Sequence, residues 1–459
     1  MPTHQPRYSK EEKNNVKTVL IKDGSYILTT DENDEVAVSR AKSILIKDGI
    51  IQKIMPAGEE QSLIKDVDLV YDAGLRGGIV LTPGFINAHA HPPMYLLRSA
   101  TLLRNEFSTT EESLVVARKI EQAMSTEDQT TAALGDFTEQ QKMGTTFVLS
   151  HYHTPAATRA AAREAKIRLV DAVSIASKTD PNASLEKAVQ TFSDVDELIS
   201  PGLTIHTMER ASVAELKSVK QVMEKYQNVI LTIHCGETVA EVESSIKKHG
   251  KRPIEVLAEA GLLNERLVLS HAVHFTSDEI KLLVEHNVGV VHLPTSNRIH
   301  KSGEFKYAEF FAHNGTKKIA LGTDSVISKS KLDIVSEAFQ SKMLHQNSTY
   351  PVSYGTLFKM MTINGARVLN QDATVGKILP GYKADISFWK LKDRAFIPYD
   401  FENPETLIGN LISHAGNTVR DLMINGQFVI SNRKHALINE SKLLEELQQR
   451  HIQLRDRIG

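Results

Sequence analysis

This sequence predicts an α/β fold: a (β/α)8 TIM barrel with a small composite β-sandwich beside it. Three observations carry that reading. Eight apolar, β-branched runs alternate with stretches of helical periodicity through the middle of the chain. Together they span about 290 residues, close to the ~250 typical of such a barrel. Most of the runs finish in a residue able to bind metal or donate a hydrogen bond. In a parallel barrel all strand C-termini share one face, so those side chains converge. A doubly wound open sheet, the competing arrangement, has no such ring of strand ends.

Taken in order, residues 1–15 (MPTHQPRYSKEEKNN) form a polar tail, expected to be disordered. Residues 16–78 hold short β-like runs, TVLIKDGSYILTT, SILIKDGIIQKI and DVDLVYDAG, whose Asp-Gly pairs suggest hairpin turns. The barrel is expected over 79–370. Its strands are GIVLTPGFINAHAH, GTTFVLSHYH, IRLVDAVS, GLTIHT, VILTIHC, RLVLSHAV, VGVVHLP and KIALGTDS. Helical segments such as PAATRAAAREA, ASVAELKSVKQVMEKY and TSDEIKLLVEHN separate most of them. Over 371–435 strand patterns return in ADISFWKL and VRDLMINGQFVI, so β-rich segments at both ends of the chain can complete one sandwich. An amphipathic helix, SKLLEELQQRHIQLRDRIG, closes the sequence within 436–459.

Composition narrows the function. The 459 residues are 41% hydrophobic and 24% charged, ordinary for a globular protein with a substantial core. A formal net charge of −2 and the lack of a basic block argue against nucleic acid or anionic membrane as partners. No apolar run approaches the ~20 residues that span a bilayer. A single cysteine, Cys235, excludes an intrachain disulfide framework and fits a reducing compartment. With no secretory pattern at the polar N-terminus, a cytoplasmic enzyme with a small-molecule substrate is the expectation.

The strand ends are specific. The first run closes on His89-Ala90-His91, the second on His151-Tyr152-His153, and the fourth carries His206. The fifth ends at His234 with Glu237 three residues on; the sixth holds His271, the seventh His292, and the eighth closes on Thr323-Asp324-Ser325. Side chains at i and i+2 of a strand point the same way, so His89 and His91 can reach one ion. Neutral imidazole and carboxylate suit zinc or another divalent first-row metal. By the same alternation Cys235 points away from the site and belongs to the core. His274, His292 and His313 are read as structural or surface residues.

The segments TPGFINAHAHPPMYLLR, KMGTTFVLS, HCGETVAEV, RPIEVLAEAGLL, LVLSHAVHF, HLPTSN, LGTDSVISKSKLDI, TINGARVL and GKILPGYKADISFW occur in that order between Thr82 and Trp389, within a likeness that covers about residues 18 to 430. The set resembles the amidohydrolase superfamily, in its subgroup of cytosine, guanine and methylthioadenosine/S-adenosylhomocysteine deaminases and triazine hydrolases. The resemblance implies that His89, His91, His234 and Asp324 hold one divalent metal ion, zinc in the first place and otherwise iron or manganese. It implies that Glu237 is the proton shuttle and that His271 polarises the substrate or holds the attacking water. Asp324 then has a second, catalytic task, accepting a hydrogen bond from that water. The fourth strand, GLTIHT, lacks the lysine of the binuclear branch, which supports one metal. A homodimer or larger homo-oligomer is also implied. The expected activity is hydrolytic deamination of a C–NH2 group on a purine, pyrimidine, pterin or triazine through a metal-activated water. Dechlorination, N-dealkylation or hydrolysis of a urea or carbamate on the same fold is the alternative, and a non-catalytic binding protein the third reading.

Several positions depart from that pattern. Ser150-His151-Tyr152-His153 replaces an Asp-Met-Tyr-like segment, making His151 and His153 candidate substrate contacts. Arg298-Ile299-His300-Lys301 replaces a leucine-rich loop, adding Arg298 and His300 to the candidates. Together with Ser328-Lys329-Ser330-Lys331, that loop suggests an anionic or carbonyl-rich substrate. Residues 100–114 lack the usual tryptophan segment, so a different lid is expected.

Overall fold

The computed structural model describes residues 16–99, 110–176, 183–328, 331–414 and 419–458. The expected polar tail, residues 100–109 of the expected lid and Lys329 lie outside the described residues.

Five strands open the chain: β1 (Thr18–Thr30), β2 (Val36–Lys47), β3 (Ile50–Pro56), β4 (Leu69–Asp72) and β5 (Ile79–Pro83). The Asp-Gly expectation holds in one place and fails in another. Asp48 and Gly49 both have positive φ (49° and 76°) and join β2 to β3 as a two-residue hairpin turn. Asp23-Gly24 instead lies inside the 13-residue strand β1, as a bulge between Ile21 and Gly24. The physical reason is a change of neighbour: before the bulge β1 pairs with β4, and after it with β5.

Eight strands follow in the barrel: β6 (Phe85–Ala90), β7 (Thr145–Tyr152), β8 (Arg168–Ala176), β9 (Ile199–Ile205), β10 (Ile230–Cys235), β11 (Leu267–His271), β12 (Gly289–His292) and β13 (Ile319–Leu321). Each pairs in parallel with the next. A parallel bridge between Ala90 and Asp324 closes the ring, helped by the amides of Thr323 and Asp324 donating to the His89 carbonyl. Residue parity divides the core. Phe147, Leu149, Val170, Ala172, Ile230 and Val268 share the parity of His151, Ser174, His234 and Ser270 and fill the barrel beneath the site. Val148, Leu169, Leu203, Leu231, Ile233 and Cys235 have the opposite parity and pack into the outer core.

The run from Gly78 to His91, read in sequence as one barrel strand, is two strands in two sheets. It divides at Gly84, where an added Cβ would lie 2.1 Å from Thr146 Oγ1, so only glycine fits the crossing. Upstream, β5 pairs antiparallel with β14 (Ile386–Lys390), which continues through β15 (Asp421–Ile424), β16 (Gln427–Ser431) and β17 (Lys434–His435). The N- and C-terminal strands thus form one composite sandwich around Val19, Ile21, Ile44, Leu81, Ile386 and Phe388. The closing helix Glu440–Ile458 buries Leu443, Leu447 and Leu454. Its Arg450 and Arg457 reach Asp128, which completes the capping box with Ser125, the N-cap of the helix Thr126–Lys142. Among the described residues no helix is long and apolar enough to cross a membrane.

Candidate metal centre

The end of β6 presents His89 and His91, the end of β10 His234, and the residue bridging β13 back to β6 is Asp324. Their atoms converge on one point. His89 Nε2 is 3.2 Å from His91 Nε2 and 3.0 Å from His234 Nε2. Asp324 Oδ1 is 3.1 Å from His91 Nε2 and 3.9 Å from His89 Nε2. A tetrahedral ion with bonds of about 2.0–2.1 Å separates its ligand atoms by roughly 3.3 Å, inside that spread.

The second nitrogen of each ring is already used. His91 Nδ1 donates to the His151 carbonyl at 2.7 Å, His234 Nδ1 donates to the His206 carbonyl at 2.9 Å, and His89 Nδ1 is hydrogen-bonded with Ser270 Oγ at 2.9 Å. The two carbonyls can only accept, which fixes the tautomers of His91 and His234 with the Nε2 lone pair facing inward, and the Ser270 hydroxyl holds the His89 ring in place. Burial, reinforced by neighbouring histidines, pushes His89 and His234 well below the usual histidine range, into the neutral form that binds metal. Burial also opposes a proton on His91, but the hydrogen bond and charge of Asp324 outweigh it and raise its pKa. For Asp324 burial acts upward, yet His91 and the other histidines hold its carboxyl well below the carboxylate range.

A second triad, His151, His206 and His234, also has ligand atoms within 4.8 Å of one another. It shares His234, whose Nε2 is turned to His89 and whose Nδ1 is engaged, so the two triads do not fill together.

Glu237 lies one turn of chain beyond β10, with Oε1 accepting from Ser302 Oγ at 3.2 Å and Oε2 3.7 Å from His271 Nε2. His271 Nδ1 is 2.8 Å from Asn297 Oδ1. Adjacent strand residues point to opposite faces, so Ser270 and His271 reach the same pocket only because His271 leaves the strand at φ 75°. Asp324 is likewise left-handed, at φ 60°. Both outliers lie at the site. The pocket over them is lined by Arg118, Glu121, His153, His206, Glu237 and His300, among others.

The remaining candidates divide. His151 borders the pocket but is only 4% exposed. Its ring stacks on His234 with centroids 4.2 Å apart, and both ring nitrogens are 2.9 Å from Thr204 Oγ1. Since Thr204 gives its proton to the Thr232 carbonyl, its oxygen accepts from His151, which therefore buttresses the ligands. His153 lines the pocket and stacks on Tyr152 at 4.3 Å, and His300 lines it too. Arg298 is not brought in: it is exposed at the end of the helix Pro294–Ile299 and outside the pocket lining. The cation in the described wall is Arg118, beside Glu121, whose carboxylate accepts from Tyr152 Oη at 2.6 Å. Sequence reasoning missed Arg118, Glu121, Ser270, Ser296 and Ser328. For Ser270 a signal existed, since it has the inward parity of a strand ending at the site.

The sequence profile of the Amidohydrolase family matches residues 80–429. The chain is 30% identical over 443 residues to the 5-methylthioadenosine/S-adenosylhomocysteine deaminase of Pyrococcus furiosus, covering 93% of this chain and 99% of that protein. It is also 30% identical to the same-named deaminase of Thermodesulfovibrio yellowstonii, covering 94% and 97%. In fold it is similar to an adenosine deaminase from Xanthomonas campestris with bound zinc (TM-score 0.84, 24% identity, 96% and 98% covered). It is similar too to the zinc-bound atrazine chlorohydrolase from Arthrobacter aurescens (TM-score 0.82, 19% identity, 94% and 99% covered). From the extent of the profile match and these full-length relatives, the chain belongs to the amidohydrolase family.

Proposed function

We propose that this protein is a metal-dependent hydrolytic deaminase acting on a C–NH2 group of a nitrogen heterocycle. The observation that carries the reading is the convergence of three Nε2 atoms and Asp324 Oδ1 beside Glu237 and His271. Deaminase-named relatives that the chain matches along nearly its whole length support it. Three imidazoles and a carboxylate suit zinc, the ion named in two similarly folded proteins. When bound, a divalent ion in this set lowers the pKa of water from 15.7 toward roughly 7 and polarises the atom it faces.

The chain's own groups supply the rest. Glu237, steadied by Ser302, takes a proton from the attacking water and returns it to a ring nitrogen. Asn297 Oδ1 accepts from His271 Nδ1, which leaves Nε2 directed toward the Glu237 carboxylate and the reacting carbon. With its proton on Nδ1, His271 presents the Nε2 lone pair, which accepts from the attacking water and orients it. Asp324 keeps Oδ1 toward the histidines while Oδ2 accepts from Ser296 and Ser328. Glu237, ionised again, then takes the remaining hydroxyl proton and passes it to the amine as the C–N bond breaks, so that ammonia leaves and the carbonyl forms.

The test is ammonia release from a panel of amino-substituted purines, pyrimidines, pterins and triazines, with metal content measured on the same sample. Ammonia from one class at about one metal per chain is expected. Glu237→Ala should lower kcat by about 10²–10⁴-fold. Full metal content with no ammonia from any class, while a chlorinated triazine or a urea is hydrolysed, would replace deamination by the alternative leaving groups.

A further inference from the structure

His300 stands at one end of a hydrogen-bonded chain that finishes on the carboxylate of the metal centre. Its Nε2 is 3.1 Å from Ser328 Oγ, and Ser328 Oγ is 2.8 Å from Asp324 Oδ2. Ser296 Oγ meets the same carboxylate oxygen at 2.5 Å. Counting protons shows what the imidazole contributes. Each serine has one proton to give, and an ionised carboxylate only accepts. With both serine protons on Oδ2, Ser328 Oγ still has lone pairs, and an Nε2–H of His300 fills one of them. Without that donor, Ser328 has a competing acceptor in Ser296 Oγ, 3.2 Å away. A hydroxyl that turns there leaves Oδ2 with one donor in place of two and lets the carboxylate rotate. The other oxygen, Oδ1, is the one turned to His91 and His89.

We propose that His300 is a positioning residue for the metal ion: through Ser328 it locks the Asp324 carboxylate with Oδ1 facing His89 and His91. The inference rests on the reading above that Asp324 is a ligand. His300 is also a departure from the leucine-rich loop of the family resemblance, so this connection belongs to this chain's own loop. Partners one step behind a ligand typically change metal affinity by about 10–100-fold when removed.

The measurement is zinc affinity of the metal-free protein, read by competition with a chromophoric chelator. It covers the wild type, His300→Leu, His300→Gln, Ser328→Ala and the double variant His300→Leu/Ser328→Ala. His300→Leu and Ser328→Ala should each weaken zinc binding by about tenfold or more. His300→Gln, which keeps an N–H donor, should recover most of the loss. Because both groups act through one hydroxyl, the double variant should bind no more weakly than the worse single. On a substrate found by the ammonia assay, His300→Leu should lower kcat with KM little changed. His300→Ala repeats the test with less bulk if His300→Leu melts early. Zinc binding in the wild type that His300→Leu and His300→Ala leave within about twofold overturns the proposal alone, as does a double variant showing the product of both losses. A wild-type chain that binds no zinc overturns the metal-centre reading, and this proposal with it.

Discussion

Asp136 shows how far burial reaches behind the site. Its side chain is fully enclosed and accepts from Gln140 Nε2 at 2.5 Å; Gln140 in turn accepts from Asn87, which holds Thr323 at 2.7 Å. Burial first, then the nearby Glu139, pushes the Asp136 carboxyl from 3.8 up to about 7, although the Gln140 hydrogen bond acts the other way. The folded protein therefore keeps this proton where the unfolded chain has released it. Stability falls as pH rises from about 4 to 7, and the full cost is felt above that window. Asp136→Asn should be close to neutral near pH 4 and stabilising by up to about 4 kcal/mol above pH 7. Urea denaturation of both proteins at pH 4.5 and 8 checks it, and an equal difference at the two pH values sinks the idea. Residues of this second layer are hard to see in sequence. The convergence of His89, His91, His234 and Asp324 is legible because a candidate metal set restricts residue type and strand alternation restricts spacing. A serine or asparagine behind them carries no such restriction. Arg298 shows the reverse, exposed and outside the pocket lining: charge is visible in a sequence, whereas the direction a short helix turns it is not.

Single backbone positions decide the shape of whole elements. The barrel strands are legible as β-branched runs because each is buried on both faces. The bulge at Asp23-Gly24 and the hairpin at Asp48-Gly49 share the same two residues, and only the neighbouring strands distinguish them. His271 belongs to the pocket through a left-handed turn that strand periodicity does not predict. Gly84 is the sharpest case. The run through Ile79–Ala90 is buried throughout, and only Pro83-Gly84 marks the crossing between sheets. A methyl group there would meet Thr146 at 2.1–2.7 Å. Gly84→Ala should cost about 1–3 kcal/mol by overpacking at the junction. Thermal melts of Gly84→Ala, Thr146→Ala and the double variant test this. If Gly84→Ala melts with the wild type, the junction is looser than the contact implies. If Thr146→Ala fails to recover any of the loss, Thr146 is not what excludes the methyl.

The whole molecule is held together on the side of the barrel opposite the site, where β8 begins. Arg168 Nε and Nη2 form a two-point ion pair with Asp385, at 2.8 and 3.0 Å, and both side chains are 4% exposed. Its Nη1 donates to the Glu197 carbonyl, and Asp385 also accepts from the Asn425 amide. One pair thus joins the first residue of a barrel strand to the residue preceding β14 and to the β15–β16 turn of the sandwich. The sandwich itself is legible because β-rich segments at both ends need partners, but the pairing of β5 with β14 and this docking pair are products of the assembled fold. A buried pair is worth little against an apolar replacement, yet breaking it leaves an uncompensated charge. Asp385→Ala should therefore lose about 3–5 kcal/mol, whereas Arg168→Leu/Asp385→Ala should recover much of that loss. The site lies at the other end of the barrel, so metal content should be unchanged in whatever fraction remains folded. Denaturant titration of the wild type, Arg168→Leu, Asp385→Ala and the double variant completes the cycle. A double variant that simply adds two independent losses would mean the two charges are stabilised separately, and that the sandwich is docked by its apolar contacts alone.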